Sequence, residues 1–359
     1  MKITILSVFL LFTSLANAQN VVPLIDFSRY FKSFQNGFFR QIEFQEIKGF
    51  KAGDNVVGYI DIRGNLKVYD GNTSMTLSNV NVEYEVSDNL LIWKVGQTLN
   101  MWDSGHKRTL CYTAGKYWLR DSLVVFEDLR YNSVNAYYRG EIHTLYTSVG
   151  DLDYPDMVGE NVVAFRDNGD VNKIFWQGKI YELDVWHNPL GFVAGTDIVA
   201  FNDPMTGTFA VFDKGEFIDV EDFHMPIFKA GNGFVLYENQ NGDLMFYGGG
   251  NKRTISNFGA RYWDVKDGVA IWEENGLTYA LQNGQKFELA KYQVKDYAIK
   301  NDIVVFRNQM GGVSVLMDGK IHQISNGLNA EFEIYGNSVL VKLFNDSYIV
   351  FKEGRKYSI

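Results

Sequence analysis

Six polar pairs are the first candidates for chemistry. Glu127-Asp128, Arg166-Asp167, Asn202-Asp203, Glu238-Asn239, Glu273-Glu274 and Arg307-Asn308 each follow a short apolar run. Two carboxylates facing each other across a cleft can act as general acid and base on a glycosidic bond, at ~5–5.5 Å for retention and ~6.5–9.5 Å for inversion. Glu127, Asp167, Glu238 and Glu273 are the candidates for such a pair. Gathered with Arg166, Arg307, Asn202 and Asp203, the same residues would instead make a polar binding surface. The plainer role of such residues is to bond nearby backbone groups in turns.

A second group lies in the longest connections, which carry Asp151, Asp153, Tyr154, Pro155 and Asp156, then Trp186, His187, Asn188 and Pro189, then His224, Met225 and Pro226. Long loops on a rigid scaffold are where function is usually inserted. An aromatic beside carboxylates can grip a sugar or a peptide, so Tyr154, Trp186 and His187 join the candidate binding face; capping the core is the alternative role for Tyr154 and Trp186. Asp151, Asp153 and Asp156 are weak candidates for calcium, because the EF-hand glycine and final glutamate are missing. The five histidines, at 106, 143, 187, 224 and 322, show no ligand spacing with Cys or Glu. There is no nucleophile elbow and no phosphate loop. No cofactor is expected.

The elements that must position these residues repeat. In Asn161 to Leu183, an apolar run (Val162 to Phe165) is followed by the turn cluster Asp167-Asn168-Gly169-Asp170, a strand to Trp176, the pair Gln177-Gly178 and a last strand from Lys179. A polar residue before Gly suits a two-residue hairpin, whose central positions need φ > 0. The opening run recurs from Asn55, Asn89, Ser122, Asn161, Asp197, Gly233, Gly268, Asp302 and Ser338, at spacings of 33 to 39 residues. The hairpin glycines 71, 105, 140, 178, 215, 249, 284, 319 and 354 follow 16 to 18 residues after each start. A further strand precedes each opening run, as in Tyr84-Glu85-Val86 and Tyr297-Ala298-Ile299, which makes four strands per unit.

The second strand of each unit is apolar on both faces, while the fourth alternates, as in Lys320-Ile321-His322-Gln323-Ile324. Small sheets stacked face to face around an axis, with the outermost strand wet, give this gradient. The fold class is therefore all-β, a β-propeller of about nine to ten short four-stranded blades; two stacked five-bladed propellers are the alternative. The turns between second and third strands and the connections between blades then share one face. The pattern resembles bacterial β-propeller repeats of the TolB-like and quinoprotein-like kinds, at the level of blade architecture and without the motifs of any one subfamily.

Residues 1–18 read as a signal peptide: Lys2, an apolar run from Ile3 to Leu15, then the small-x-small site Ala16-Asn17-Ala18. That run is shorter than the ~20 residues needed to span a bilayer, and no span follows in the mature chain. Residues 19–50 form an incomplete repeat or first blade, and 51–359 the propeller repeats. Within 19–50, the interval from Asn20-Val21-Val22 to Gly37 favours strands, although Phe27, Tyr30, Phe31 and Phe34 fall at helical spacing behind Asp26, a candidate N-cap.

A net charge of −9 without a basic block disfavours nucleic acid. Cys111 is the only cysteine, so no intrachain disulfide can form and the thiol is expected to be buried. The sequence thus points to an exported, periplasmic or secreted, non-enzymatic binding or scaffold propeller for a protein or glycan partner. The alternative is a glycan-active hydrolase or lyase.

Overall fold

A computed structural model describes residues 20–149, 155–186, 190–257 and 259–359. These residues form ten antiparallel sheets in chain order, nine of four strands and a first of three, with no helix. Blade 5 is representative: Met157–Val158, Val162–Arg166, Val171–Trp176 and Lys179–Trp186 pair successively from the axis outward. Runs such as Val162-Val163-Ala164-Phe165 become second strands because β-branched and aromatic residues fit a pleated surface covered on both faces, and all four are buried. The two-residue hairpins place both central residues at positive φ, as in Gln177 (49°) with Gly178 (78°) and Asp318 (50°) with Gly319 (71°). That conformation matches the twist of the flanking strands.

The blades close into one ring. Ten hydrophobic clusters fill ten interfaces between consecutive sheets, including blades 5 and 6 through Ile174, Val199 and Phe212, and blades 10 and 1 through Leu340, Tyr348, Val22 and Leu24. A stack of two five-bladed rings would interrupt the sequence of interfaces between blades 5 and 6, so that alternative is replaced by a single ring of ten. Each blade is too thin to bury its own apolar face, and stacking on both neighbours supplies the cover.

The N-terminal segment forms the strands Val22–Ile25, Phe31–Gln35 and Phe38–Glu43. The helical spacing behind Asp26 gives way because Asp26 caps a tight turn instead. Its Oδ1 accepts the N–H groups of Ser28 (3.0 Å) and Tyr30 (2.9 Å), and its Oδ2 pairs with Lys32 at 2.6 Å. Phe31 and Phe34 are then buried on opposite sides of the blade, in the clusters shared with blades 2 and 10.

The fourth strands depart from simple alternation. In Lys320–Ser325 the first residues are wet and the last two buried. A register shift pairs Val313 with Ser325 and Ser314 with Gln323, which leaves Ile324 as the extra residue of a β-bulge. The bulge turns Ile324 inward against Ile334 and Val339 of blade 10. Leu110, Leu145, Val220 and Leu289 occupy the same place in their blades and are likewise buried. Cys111 is buried beside one of these bulges, and burial pushes its thiol up to about 11.

Phe165 and Phe306 hold equivalent, buried positions in blades 5 and 9. Changing either to Ala should cost about 3–5 kcal/mol, whereas Lys179→Ala on an outer strand should stay within about 0.5 kcal/mol. Urea unfolding of the three variants checks this, and equal losses at both kinds of site would contradict the register.

Candidate functional site

The two ends of the ring differ in chemistry. At the end formed by the turns between second and third strands, the sequence-derived candidates are placed one or two to a blade. Asp167 caps its own turn, accepting the N–H groups of Gly169 (2.9 Å) and Val171 (3.1 Å), and binds Lys173 at 2.7 Å. Burial opposes its charge, but the lysine and the two N–H groups prevail and hold its carboxyl below the usual range. Asp203 caps Met205 (2.8 Å), and its carbonyl lies 2.9 Å from His224 Nε2. Asn202 clamps the backbone of Met225 in both directions, at 2.9 and 2.8 Å. Arg166 reaches Asp170 at 3.5 Å. Arg307 binds Asp296 (2.6 Å) and the carbonyls of Gly311 and Ala330.

Glu127 is buried and accepts the Lys116 N–H at 2.7 Å, inside the irregular first strand of blade 4. Glu238 donates its backbone N–H to Ile227, and Glu273 borders a recess with Tyr262, Thr278 and Tyr297. Glu127, Asp167, Glu238 and Glu273 belong to four different blades, and no hydrogen bond or ion pair joins any two of them among the described residues. Trp186 ends the fourth strand of blade 5 opposite Val171, and Asp156 is exposed at the start of that blade. Tyr154, His187, Asp151 and Asp153 lie outside the described residues.

Charged groups do converge at the opposite mouth, on turns that join first and second strands. The first positions of these two-residue turns are Asp54, Asp88, Asp121, Glu160, Thr196, Asn232, Asp267, Asn301 and Gly336 in blades 2 to 10. Each turn bonds to the next. Asp54 N–H donates to Asp88 Oδ1 (3.1 Å), Asp88 N–H to Asp121 Oδ1 (3.1 Å), Asn232 N–H to the Asp267 carbonyl (2.7 Å) and Asn301 N–H to Asp267 Oδ2 (2.7 Å). The turns approach so closely that a Cβ on Gly195 would lie 2.0 Å from the carbonyl oxygen of Gly231. The residue before each opening strand carried this signal in the sequence, as a carboxylate in blades 2, 3, 4, 5 and 8, and it was missed because the apolar run alone marked the repeat.

Asp88, Asp121, Glu160, Asp267, Arg120, Lys266 and Lys300 border a recess of about 440 Å³ at this mouth. Lys300 places its ammonium 2.5 Å from Asp54 Oδ1 and 2.6 Å from Asp88 Oδ1, joining blade 9 to blades 2 and 3. Burial pushes the Asp88 carboxyl up to about 6, with Asp121 and Asp54 adding repulsion that Lys300 partly offsets. Asp121, Glu160 and Asp267 are raised too, by burial first. Burial alone would lower Lys300, but the two carboxylates more than offset it and its pKa is raised. The arrangement can take up protons in mildly acidic conditions, and it holds one ammonium firmly.

The sequence matches the 10-bladed beta propeller domain family over residues 15–357. No curated protein matches it. Among solved structures, the computationally designed Ika8 protein shares 15% identity, with 93% of this chain and 99% of that chain covered and a TM-score of 0.35. Prp20p from Saccharomyces cerevisiae shares 10%, with 62% and 81% covered and a TM-score of 0.33. The CRINKLY WD40 ectodomain of the Arabidopsis thaliana receptor kinase ACR4 shares 9%, with 76% and 94% covered and a TM-score of 0.30.

Lys300→Met tests the electrostatics of the mouth. A carboxyl whose folded pKa is raised binds its proton more tightly in the fold than in the unfolded chain, so stability falls as pH rises from ~4 through the folded value. Without the ammonium, Asp54 and Asp88 lose their shared counter-charge, and the loss at pH ~7.5 should be about 3 kcal/mol. It should shrink toward pH ~5 as the raised Asp88 carboxyl takes up a proton. Denaturant melts at the two pH values measure it, and an identical deficit at both would contradict the assignment.

Proposed function

Because the chain belongs to the 10-bladed beta propeller domain family, and its ring offers one whole end of ten sheets as a surface, we propose that it is an exported, non-enzymatic binding or scaffold protein. The partner is a protein, held on the end built from the turns between second and third strands and the connections between blades. The observation that carries this reading is a run of exposed apolar side chains on successive blades at that end. Met310 (85% exposed), Leu328, Phe344 (89%), Phe27 (78%), Phe44 (79%) and Ile62 follow one another through blades 9, 10, 1 and 2.

Several large apolar groups on neighbouring loops are costly to leave in water unless something covers them, and they mark interaction surfaces. Methionine and phenylalanine are also enriched at protein interfaces. Sugars are gripped by flat rings beside carboxylates, whereas Met310, Leu328 and Ile62 offer aliphatic and thioether surface, which favours a protein partner over a glycan. The opposite end has turns of Asp, Asn and Gly, as in Asp318-Gly319 and Asn283-Gly284. Export is supported by Lys2, the apolar run from Ile3 to Leu15 and the site Ala16-Asn17-Ala18.

Affinity purification of the tagged chain from envelope and culture medium should recover a stoichiometric partner. The double variant Met310→Asp/Phe344→Asp should lower that recovery at least about tenfold while shifting stability by no more than about 0.5 kcal/mol, since both side chains stand in solvent. Asp318→Ala, on a hairpin at the other end, should leave recovery unchanged. Repeated recovery of the wild-type chain alone would contradict the reading.

A further inference from the structure

One place in the inner wall of the ring has no strand among the described residues. In blades 2 to 10 the second strand is paired on both edges, and its inner partner comes directly before it in the chain. In blade 1, among the described residues, Val22–Ile25 pairs with Phe31–Gln35 alone. Its other edge borders a recess of about 140 Å³, walled by Leu24, Phe50, Phe332 and Leu340 and rimmed by Glu331 and Glu333. Phe50 comes from the inner strand of blade 2 and Phe332 from that of blade 10. The recess is therefore where an inner strand of blade 1 would stand, and nine sibling blades show what fills such a place: a short strand antiparallel to its neighbour.

We propose that in the exported chain this recess receives an extended segment of a partner polypeptide, added antiparallel to Val22–Ile25 with an apolar side chain between Phe50 and Phe332. This inference rests on the export reading. Asn20 corresponds to Asn55, so Gly49–Ala52 corresponds to residues 14–17, and cleavage after Ala18 removes them. The edge of Val22–Ile25 keeps its backbone acceptors, which is the requirement for strand addition.

Two features of the recess define the segment. Lys342 also borders it but is paired with Asp346 at 3.2 Å, so Glu331 and Glu333 leave the rim net negative and select a basic residue beside the apolar one. Pro23 then sets the strength. Its equivalent, Gly58, faces Lys51 of the inner strand, and the flanking carbonyls of Val56 and Ile60 accept from Gly53 (2.9 Å) and Lys48 (2.8 Å). Pro23 keeps its carbonyl but has no N–H to give, and proline in a sheet belongs at an edge. The added strand thus forms fewer backbone bonds than a built-in one, so it binds reversibly. Because the recess faces the axis, the segment has to be a free terminus or a long loop.

The test uses the full chain purified after export and a labelled peptide, Lys-Gly-Phe-Lys-Ala, which copies the inner strand of blade 2. Intact mass should show a chain beginning at Gln19, and fluorescence anisotropy should show saturable binding. Exchanging Phe for Asp in the peptide, or Glu331→Lys in the protein, should weaken it at least about tenfold; Glu331 is exposed, so that variant keeps the fold. A Gln19 chain that fails to bind the peptide up to about 1 mM would overturn the inference and leave export standing. An uncut chain that retains residues 14–17 would overturn both the export reading and the inference that rests on it.

Discussion

The ring depends on how its least complete blade is bridged. Asp54, buried on the first turn of blade 2, receives the Gly336 N–H on Oδ1 (2.7 Å) and the Asn301 amide on Oδ2 (2.8 Å), while Lys300 sits 2.5 Å from Oδ1. One carboxylate thereby ties blade 2 to blades 9 and 10 across the position of blade 1. Elsewhere each turn needs only its neighbour. Here the chain of turn-to-turn bonds would lapse, because blade 1 has no turn between first and second strands among the described residues, and a charged acceptor with three partners replaces it. Gly336 suits that contact: its φ is +56°, and a Cβ there would lie 2.1 Å from the side chain of Asn20 as it stands. Charge-assisted hydrogen bonds of this kind are about twice as strong as neutral ones, which suits a seam whose blade has three strands among the described residues.

This clasp also explains the unequal chemistry of the two ends. Turns at the clasped mouth approach one another so closely that small residues and carboxylates dominate, and their charges are held by backbone N–H groups and by Lys300. At the far end, polar groups of the turns cap their own backbone, as Asp26, Asp167 and Asn308 do for residues two and four positions on. With the polar groups occupied, the apices of those turns are free to carry Phe27, Met310 and Phe344 outward. At the acidic mouth the charges bind groups of the ring itself, whereas the apolar side chains of the far end stand in solvent.

Much of the architecture was legible in the sequence. The second-strand runs and hairpin glycines gave the repeat, because burial on both faces and positive φ each restrict residue choice strongly. The bulges at Leu110, Leu289 and Ile324 were harder to see, since one extra residue at a strand end leaves the period of the repeat almost unchanged. The site was less legible. Asp167 and Asp203 have the composition of a polar ring, but hydrogen bonds within the turn and a polar surface use the same side chains, and only three dimensions separate them. Lys300 could not have been found by spacing, because its partners lie 246 and 212 residues away in sequence. The exposed side chains of the apolar end were equally hidden, for Phe44 or Phe344 reads as core until the turn that displays it is known.

Hydrogen–deuterium exchange on Asp54→Ala beside the wild-type chain tests the central claim, that this carboxylate closes the ring. Amides of blades 10, 1 and 2, among them Val21 and Gly336, should lose protection first, while the second strands of blades 5 to 7 remain protected as in the wild type. Unchanged protection at the seam, or a uniform loss around all ten blades, would contradict the account.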